Sequence, residues 1–229
     1  MEELQGGREG QIFRSENRVY RPRGKWSETV HHLLSYIAKN GFRASPKPFG
    51  FDDKGNEILS FVDGEVFNYP LKDNIAAKDA LISAASLLRS YHDASSSFLS
   101  HHSSETLEWM LPAHPAPRVW DVAYALYCWA PFKTHKCDAM GDLVSQSLRA
   151  KQFCDAYGLP EIERQSVVQT MIDRVQALVD HMHSEARNGN QAFIANINDG
   201  HHLAYLADIE YLQSNGQYIT EVLVGKKCL

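Results

Sequence analysis

A chain of 229 residues with 44% hydrophobic and 22% charged side chains has an ordinary globular composition, long enough for one large domain or two lobes. A net charge of −5 argues against a sequence-wide nucleic-acid footprint, and no apolar run reaches the length of a membrane span. Met1-Glu2-Glu3-Leu4-Gln5 does not read as a signal peptide, and Cys128, Cys137, Cys154 and Cys228 show no paired spacing, so reduced thiols and a cytoplasmic location are expected.

Taken in order, residues 10–22 carry two β-prone runs around the turn formers Ser15-Glu16-Asn17, which predicts a hairpin. Ser27 then offers an N-cap to a helix with Val30, Leu33, Leu34 and Ile37 at helical spacing, and Gly41 closes it. A second hairpin is expected from Pro48-Phe49-Gly50-Phe51 and Glu57-Ile58-Leu59-Ser60-Phe61 around Asp52-Asp53-Lys54-Gly55, ending at Val62-Asp63-Gly64-Glu65. Hairpin, helix, hairpin and connector describe a small α+β region over residues 1–64.

Residues 65–229 read as a helical region. Residues 77–98 carry Leu81, Ala84, Ala85, Leu88 and Tyr91 on one stripe, and a serine- and histidine-rich loop follows. Residues 141–157 form the next helix but one, ended by Gly158. Pro160 is expected to start a helix running to Gly189, and a last helix is expected to hold Phe193 to Leu212 and stop before Gly216.

Between these lies the stretch 115–131, bracketed by prolines. Val119, Trp120, Val122, Ala123, Tyr124, Leu126, Tyr127 and Trp129 leave it no polar face, which predicts a helix in the middle of the fold. Its one acid, Asp121, is then expected to be buried and to need a partner.

Arg-Val-Trp-Asp-Val-Ala-Tyr-Ala-Leu at 118–126 resembles the central helix of the aminoglycoside phosphotransferase and choline kinase-like family, whose "WD-A" aspartate braces the catalytic loop. Other matches follow the same order. Arg18-Val19-Tyr20-Arg21-Pro22 is similar to the family's second strand, and Ile58-Leu59-Ser60-Phe61-Val62-Asp63-Gly64 to its hinge. Leu87-Leu88-Arg89-Ser90-Tyr91-His92-Asp93-Ala94 is similar to its "LLR-LHDA" helix. The resemblance implies a two-lobed, protein kinase-like α+β fold: a small β-rich lobe with one helix, then a mainly helical lobe. It also implies ATP-dependent phosphate transfer to a small-molecule hydroxyl, with magnesium.

The family's catalytic motif "H-[GN]-D-x-x-x-x-N" and the metal aspartate of "D-F-D" are missing. The corresponding interval is Glu108-Trp109-Met110-Leu111-Pro112-Ala113-His114-Pro115, as though both motifs and their strands were excised in frame. His92-Asp93 is a poor substitute, because Phe98 stands where the motif places asparagine. Asn196-Ile197-Asn198-Asp199-Gly200 lacks the closing glutamate of a calcium loop. His31-His32, His101-His102 and His201-His202 are adjacent pairs rather than the i, i+4 pairs of a helix-borne metal site. No catalytic residue and no metal ligand is therefore assigned.

The resemblance carries the phosphate-facing role to Arg21, with Arg18 and Lys25 as competitors, and an adenine-facing role to the backbone at Phe61 and Val62. Glu28 suits the helix dipole, with a salt bridge to Arg21 as the alternative. Gly6-Gly7-Arg8-Glu9-Gly10 is a weak phosphate-loop candidate. Asp121 is assigned as the structural brace of the missing catalytic loop. The chain is thus expected to be an inactive kinase-like phosphotransferase whose partners by resemblance are a nucleotide and a hydroxyl acceptor, with ATP and magnesium implied but the magnesium residues absent. The alternatives are a non-catalytic binding or regulatory module, or an active kinase of which this chain lacks an internal segment. Loss of the strands is expected to expose parts of Trp109, Val119 and Tyr124 and so to favour a homodimer. No nucleic-acid or membrane partner is expected.

Overall fold

The computed structural model describes residues 2–4, 11–101, 107–109 and 115–227. Among those residues it is α+β, with one five-stranded antiparallel sheet and nine helices. The chain divides into two compact units, Met1–Val66 with Ser90–His114, and Phe67–Arg89 with Pro115–Leu229. The first unit holds the sheet and the second holds most of the helices.

In the first unit the strands β1 (Glu2–Glu3), β2 (Phe13–Ser15), β3 (Arg18–Pro22), β4 (Pro48–Phe51) and β5 (Asn56–Ser60) pair in the order β1-β2-β3-β5-β4. The first hairpin turns at Glu16, whose φ of 54° lies in the left-handed region. The second is held by the Asp52 carboxylate, which accepts hydrogen bonds from the backbone N–H of Lys54 (3.0 Å) and Asn56 (2.8 Å) and from Asn56 Nδ2 (2.9 Å). These bonds hold the Asp52 carboxyl below its ordinary range, the Asn56 side chain contributing most. Helix α1 (Ser27–Lys39) follows β3. Ser27 is its first residue instead of its cap, and Ser27 Oγ accepts from the Gly24 N–H at 3.1 Å. Gly41, at φ 90°, ends the helix as expected.

The later part of this unit is anchored by Phe98, which is 2% exposed. Its ring meets those of Tyr36 on α1 and Trp109 edge-on, with centroids 5.5 and 6.3 Å apart. The end of α3 (Lys78–Ser95) is tied to α1 by Asn40 Nδ2, which donates to the Ala94 carbonyl at 3.1 Å.

The second unit is helical: α2 (Asp73–Ala76), the start of α3, α4 (Arg118–Trp129), α5 (Leu143–Tyr157), α6 (Glu161–Arg164), α7 (Val167–Arg187), α8 (Gln191–Asn198) and α9 (His201–Leu223). α7 packs against α4, α8 and α9, and α5 against α4 and α9. Leu81, Val122, Leu126, Phe132, Phe153, Met171, Val175, Leu212 and Ile219 fill the shared core. Asp142 caps α5 by accepting from the Ser145 N–H at 2.8 Å, and Gly158 ends it in the left-handed conformation. Arg149 closes α4 from outside, with Nε donating to the Trp129 carbonyl at 2.5 Å and Nη1 to the Ala76 carbonyl at 2.7 Å.

Two expected helices are interrupted. The one begun by Pro160 makes a single turn, α6, and restarts at Val167. The last breaks at Gly200, whose φ is 76°, so that α8 and α9 fold separately. α9 then runs straight through Gly216. That glycine is a point of close approach, not a stop: a Cβ there would lie 3.3 Å from Val168 Cγ1 on α7. No described helix is long and apolar enough to cross a membrane.

Gly216→Val should therefore wedge α9 away from α7 and destabilise the chain by about 1–3 kcal/mol, as overpacking does. Urea unfolding measures this, and Val168→Ala in the same chain should recover part of the loss. A Gly216→Val protein as stable as the parent would mean that α9 can slide to make room.

Candidate functional site

In the first unit the chemistry gathers on Glu57. Pairing of β3 with β5 sets Arg21 opposite Glu57 and Val19 opposite Leu59, so these four share one sheet face. Glu57 is 2% exposed, and a bare carboxylate there would be costly. Arg21 Nε donates to Oε1 at 2.6 Å, and His31 Nε2 donates to Oε2 at 3.1 Å. His31 is buried and its ring stacks on Phe51, with centroids 4.7 Å apart. Arg21 keeps 40% of its side chain exposed, so its guanidinium still faces water on one side.

The predicted nucleotide residues fall in different places. Arg21 takes its carboxylate from β5 and not from α1, because Glu28 is engaged by Arg23. Arg18 lies over the Phe49 ring at 4.8 Å, and Lys25 is exposed. The Phe61 N–H is spent on the Asn17 carbonyl at 3.0 Å, and the Phe61 ring carries the Arg14 guanidinium at 3.6 Å. Val62 is 61% exposed. Gly6 to Gly10 lie outside the described residues.

Asp121 requires a correction. It is exposed, because α4 buries only Val122, Ala123, Leu126 and Tyr127 and leaves Asp121 on the other side of the helix. Burial therefore gives it no reason to need a partner. Trp109, Val119 and Tyr124 are half-buried. The Arg174 guanidinium of α7 lies 4.7 Å from the Tyr124 ring centroid and 5.5 Å from that of Trp120. His92 is buried beside the Tyr91 ring, a core histidine, and Asp93 is exposed. Among the described residues no group of three His, Cys, Asp or Glu side chains could hold a metal ion.

The second cluster, in the helical unit, was not anticipated from the sequence. Asp208 on α9 is 3% exposed. It accepts from the Tyr127 hydroxyl at 2.6 Å, the Thr134 N–H at 2.6 Å and Thr134 Oγ1 at 2.8 Å. Lys133, one residue before Thr134, points its Nζ over the Tyr127 ring at 3.5 Å, with the Tyr69 and Tyr205 rings at 5.1 and 5.7 Å. Burial pushes the Lys133 ammonium below the ordinary lysine range, while Cys128, Asp208 and Asp138 oppose the shift. Burial, then the Asp208 hydrogen bond, raises the Tyr127 phenol well above its ordinary value. Burial also raises Tyr69, whose hydroxyl donates to the Cys128 carbonyl at 3.1 Å. An i, i+4 aromatic stripe on α4 is the usual look of core packing, so only Asp208 amid apolar residues hinted at this cluster.

No family model and no solved structure matches the chain. It is 36% identical over 108 residues to the trifolitoxin immunity protein of Rhizobium leguminosarum bv. trifolii. The match covers 46% of this chain and 40% of that protein, so the chain spans less than half of the curated relative it matches.

Tyr127→Phe removes one donor to a buried carboxylate and should cost about 1.5–3 kcal/mol at neutral pH, read from thermal or urea melts. Raised phenol values stabilise the fold below the unfolded tyrosine pKa and lose that contribution as pH climbs towards the folded values. Stability should accordingly fall above about pH 10. Phenolate absorbance should show Tyr69 and Tyr127 un-ionised until the chain unfolds, and early titration of every tyrosine would contradict the burial.

Proposed function

We propose that this chain is a kinase-like protein of the aminoglycoside phosphotransferase and choline kinase type that has lost phosphate transfer and retains ligand binding. The observation that carries this reading is the interval between Glu108 and Pro115, which holds neither the catalytic aspartate and asparagine nor the metal aspartate that transfer needs. The α+β architecture and the two units, one around the sheet and one helical, are compatible with the two lobes of that family. The sequence offers no counterpart to the asparagine and aspartate that hold the metal in that family, so no residue is assigned to magnesium. No step is derived through the metal.

Nucleotide binding rests on Arg21. Its partly exposed guanidinium, held by Glu57, is oriented before any phosphate arrives, which lowers the ordering cost of binding. The Glu57 carboxylate also offsets part of its pull on an anion. Binding should be weak and indifferent to magnesium. The likeness to an immunity protein favours a second reading, in which the chain protects by binding a toxic compound. A cytoplasmic location suits either reading, since buried Cys154, its thiol pushed up to about 12 by burial, behaves as a small hydrophobe.

ATP titration with and without magnesium, beside an ATP-consumption assay, tests the main reading. Expected are equal weak affinities, loss of binding in Arg21→Ala, retention in Arg21→Lys, and no turnover, a deficit of about a thousandfold or more against an active kinase. Magnesium-dependent turnover abolished by Arg21→Ala would overturn it. Expression in trifolitoxin-sensitive cells tests the second, with survival as the readout. Sequencing of the intact coding region identifies any missing internal segment.

A further inference from the structure

Two of the three tyrosines around Lys133 are held in place by bonds that do not involve it, and the third is carried by a packed helix. Tyr127 is fixed through its hydroxyl to Asp208, and Tyr69 through its hydroxyl to the Cys128 carbonyl. Tyr205 rides on α9 three residues before Asp208. The backbone beneath Lys133 is fixed too, since its neighbour Thr134 gives both its N–H and its hydroxyl to Asp208. The Lys133 ammonium itself has no carboxylate within salt-bridge distance among the described residues; its close neighbours are rings at 3.5, 5.1 and 5.7 Å. All three lie within the roughly 6 Å over which a ring face attracts a cation. A desolvated ammonium facing π surfaces, on walls built without it, has the features of an occupied binding site.

We propose that Tyr69, Tyr127 and Tyr205 form a preorganised ammonium site, that the Lys133 side chain is its resident occupant, and that the ligand class it accepts is a primary alkylammonium ion. The site lies within the helical unit and is independent of the nucleotide reading. In the parent chain an external amine competes with a tethered one, whose effective concentration is on the order of millimolar or higher, so external binding is masked. Lys133→Ala removes a three-carbon chain and its ammonium, the size of n-propylammonium, and leaves the Asp208 bonds to Thr134 and Tyr127 in place.

The test is titration of Lys133→Ala with n-propylammonium, read by tyrosine fluorescence and by melting temperature, with n-propanol and sodium as controls. Expected is saturable binding by the variant alone, with a rise in its melting temperature that n-propanol does not reproduce. A folded Lys133→Ala chain without saturable binding would overturn the proposal, and so would an equal response to n-propanol, which would mean simple cavity filling. Lys133→Met keeps most of the stem without the charge and guards against a variant that does not fold. With its own stem filling the site, Lys133→Met should stay folded and bind no n-propylammonium, and saturable binding by it would place the amine elsewhere and overturn the proposal.

Discussion

A carboxylate buried to 3% exposure at Asp208 is the constraint on which the helical unit depends. Stripped of water it would cost several kcal/mol. Each hydrogen bond to a charged group returns about 1.5–3 kcal/mol. With three donors the account roughly balances, and with one removed it does not. The donors come from different places: Tyr127 from α4, and Thr134 from the irregular segment after it. They can meet Asp208 only when α9, α4 and that segment are in one register. With its three donors in place the group adds little net stability.

The aromatic surroundings follow from the same bond. Because the Tyr127 hydroxyl is committed to Asp208, its ring face is turned to Lys133, and because Thr134 is pinned, Lys133 is delivered to that face. The close approach of α9 to α7 at Gly216 keeps the helix carrying Asp208 seated on the core. A buried polar group, a glycine contact and a cation over aromatic rings thus belong to one arrangement.

The sheet unit solves a similar problem in another way. Glu57 is as buried as Asp208, yet it is satisfied by cationic or potentially cationic side chains, Arg21 across the strand pair and His31 from α1. This arrangement differs from an ion pair between strand and helix: the arginine is braced within the sheet, and α1 contributes a histidine. An arginine so braced is suited to holding an anion in place.

The sequence by itself determined the hairpin turns and one helix stop, though not every helix boundary. Turn formers at Ser15-Glu16-Asn17 and Asp52 to Gly55 and the Gly158 stop act over a few residues, and each appears where its chemistry places it. The sequence also carried the absence of the phosphotransfer motif, which is a property of covalent order alone. What it did not decide was which face of α4 would be buried, since a helix apolar all round gives no phase, and Asp121 consequently lies in water. Nor could it tell a glycine that ends a helix from one that lets two helices touch: Gly200 and Gly216 differ only in what lies opposite them. The partners of Glu57 and Asp208 were likewise out of reach, because Arg21 lies 36 residues from Glu57 and Tyr127 lies 81 from Asp208. Only the folded chain brings such residues together, and burial then decides which polar groups must pair.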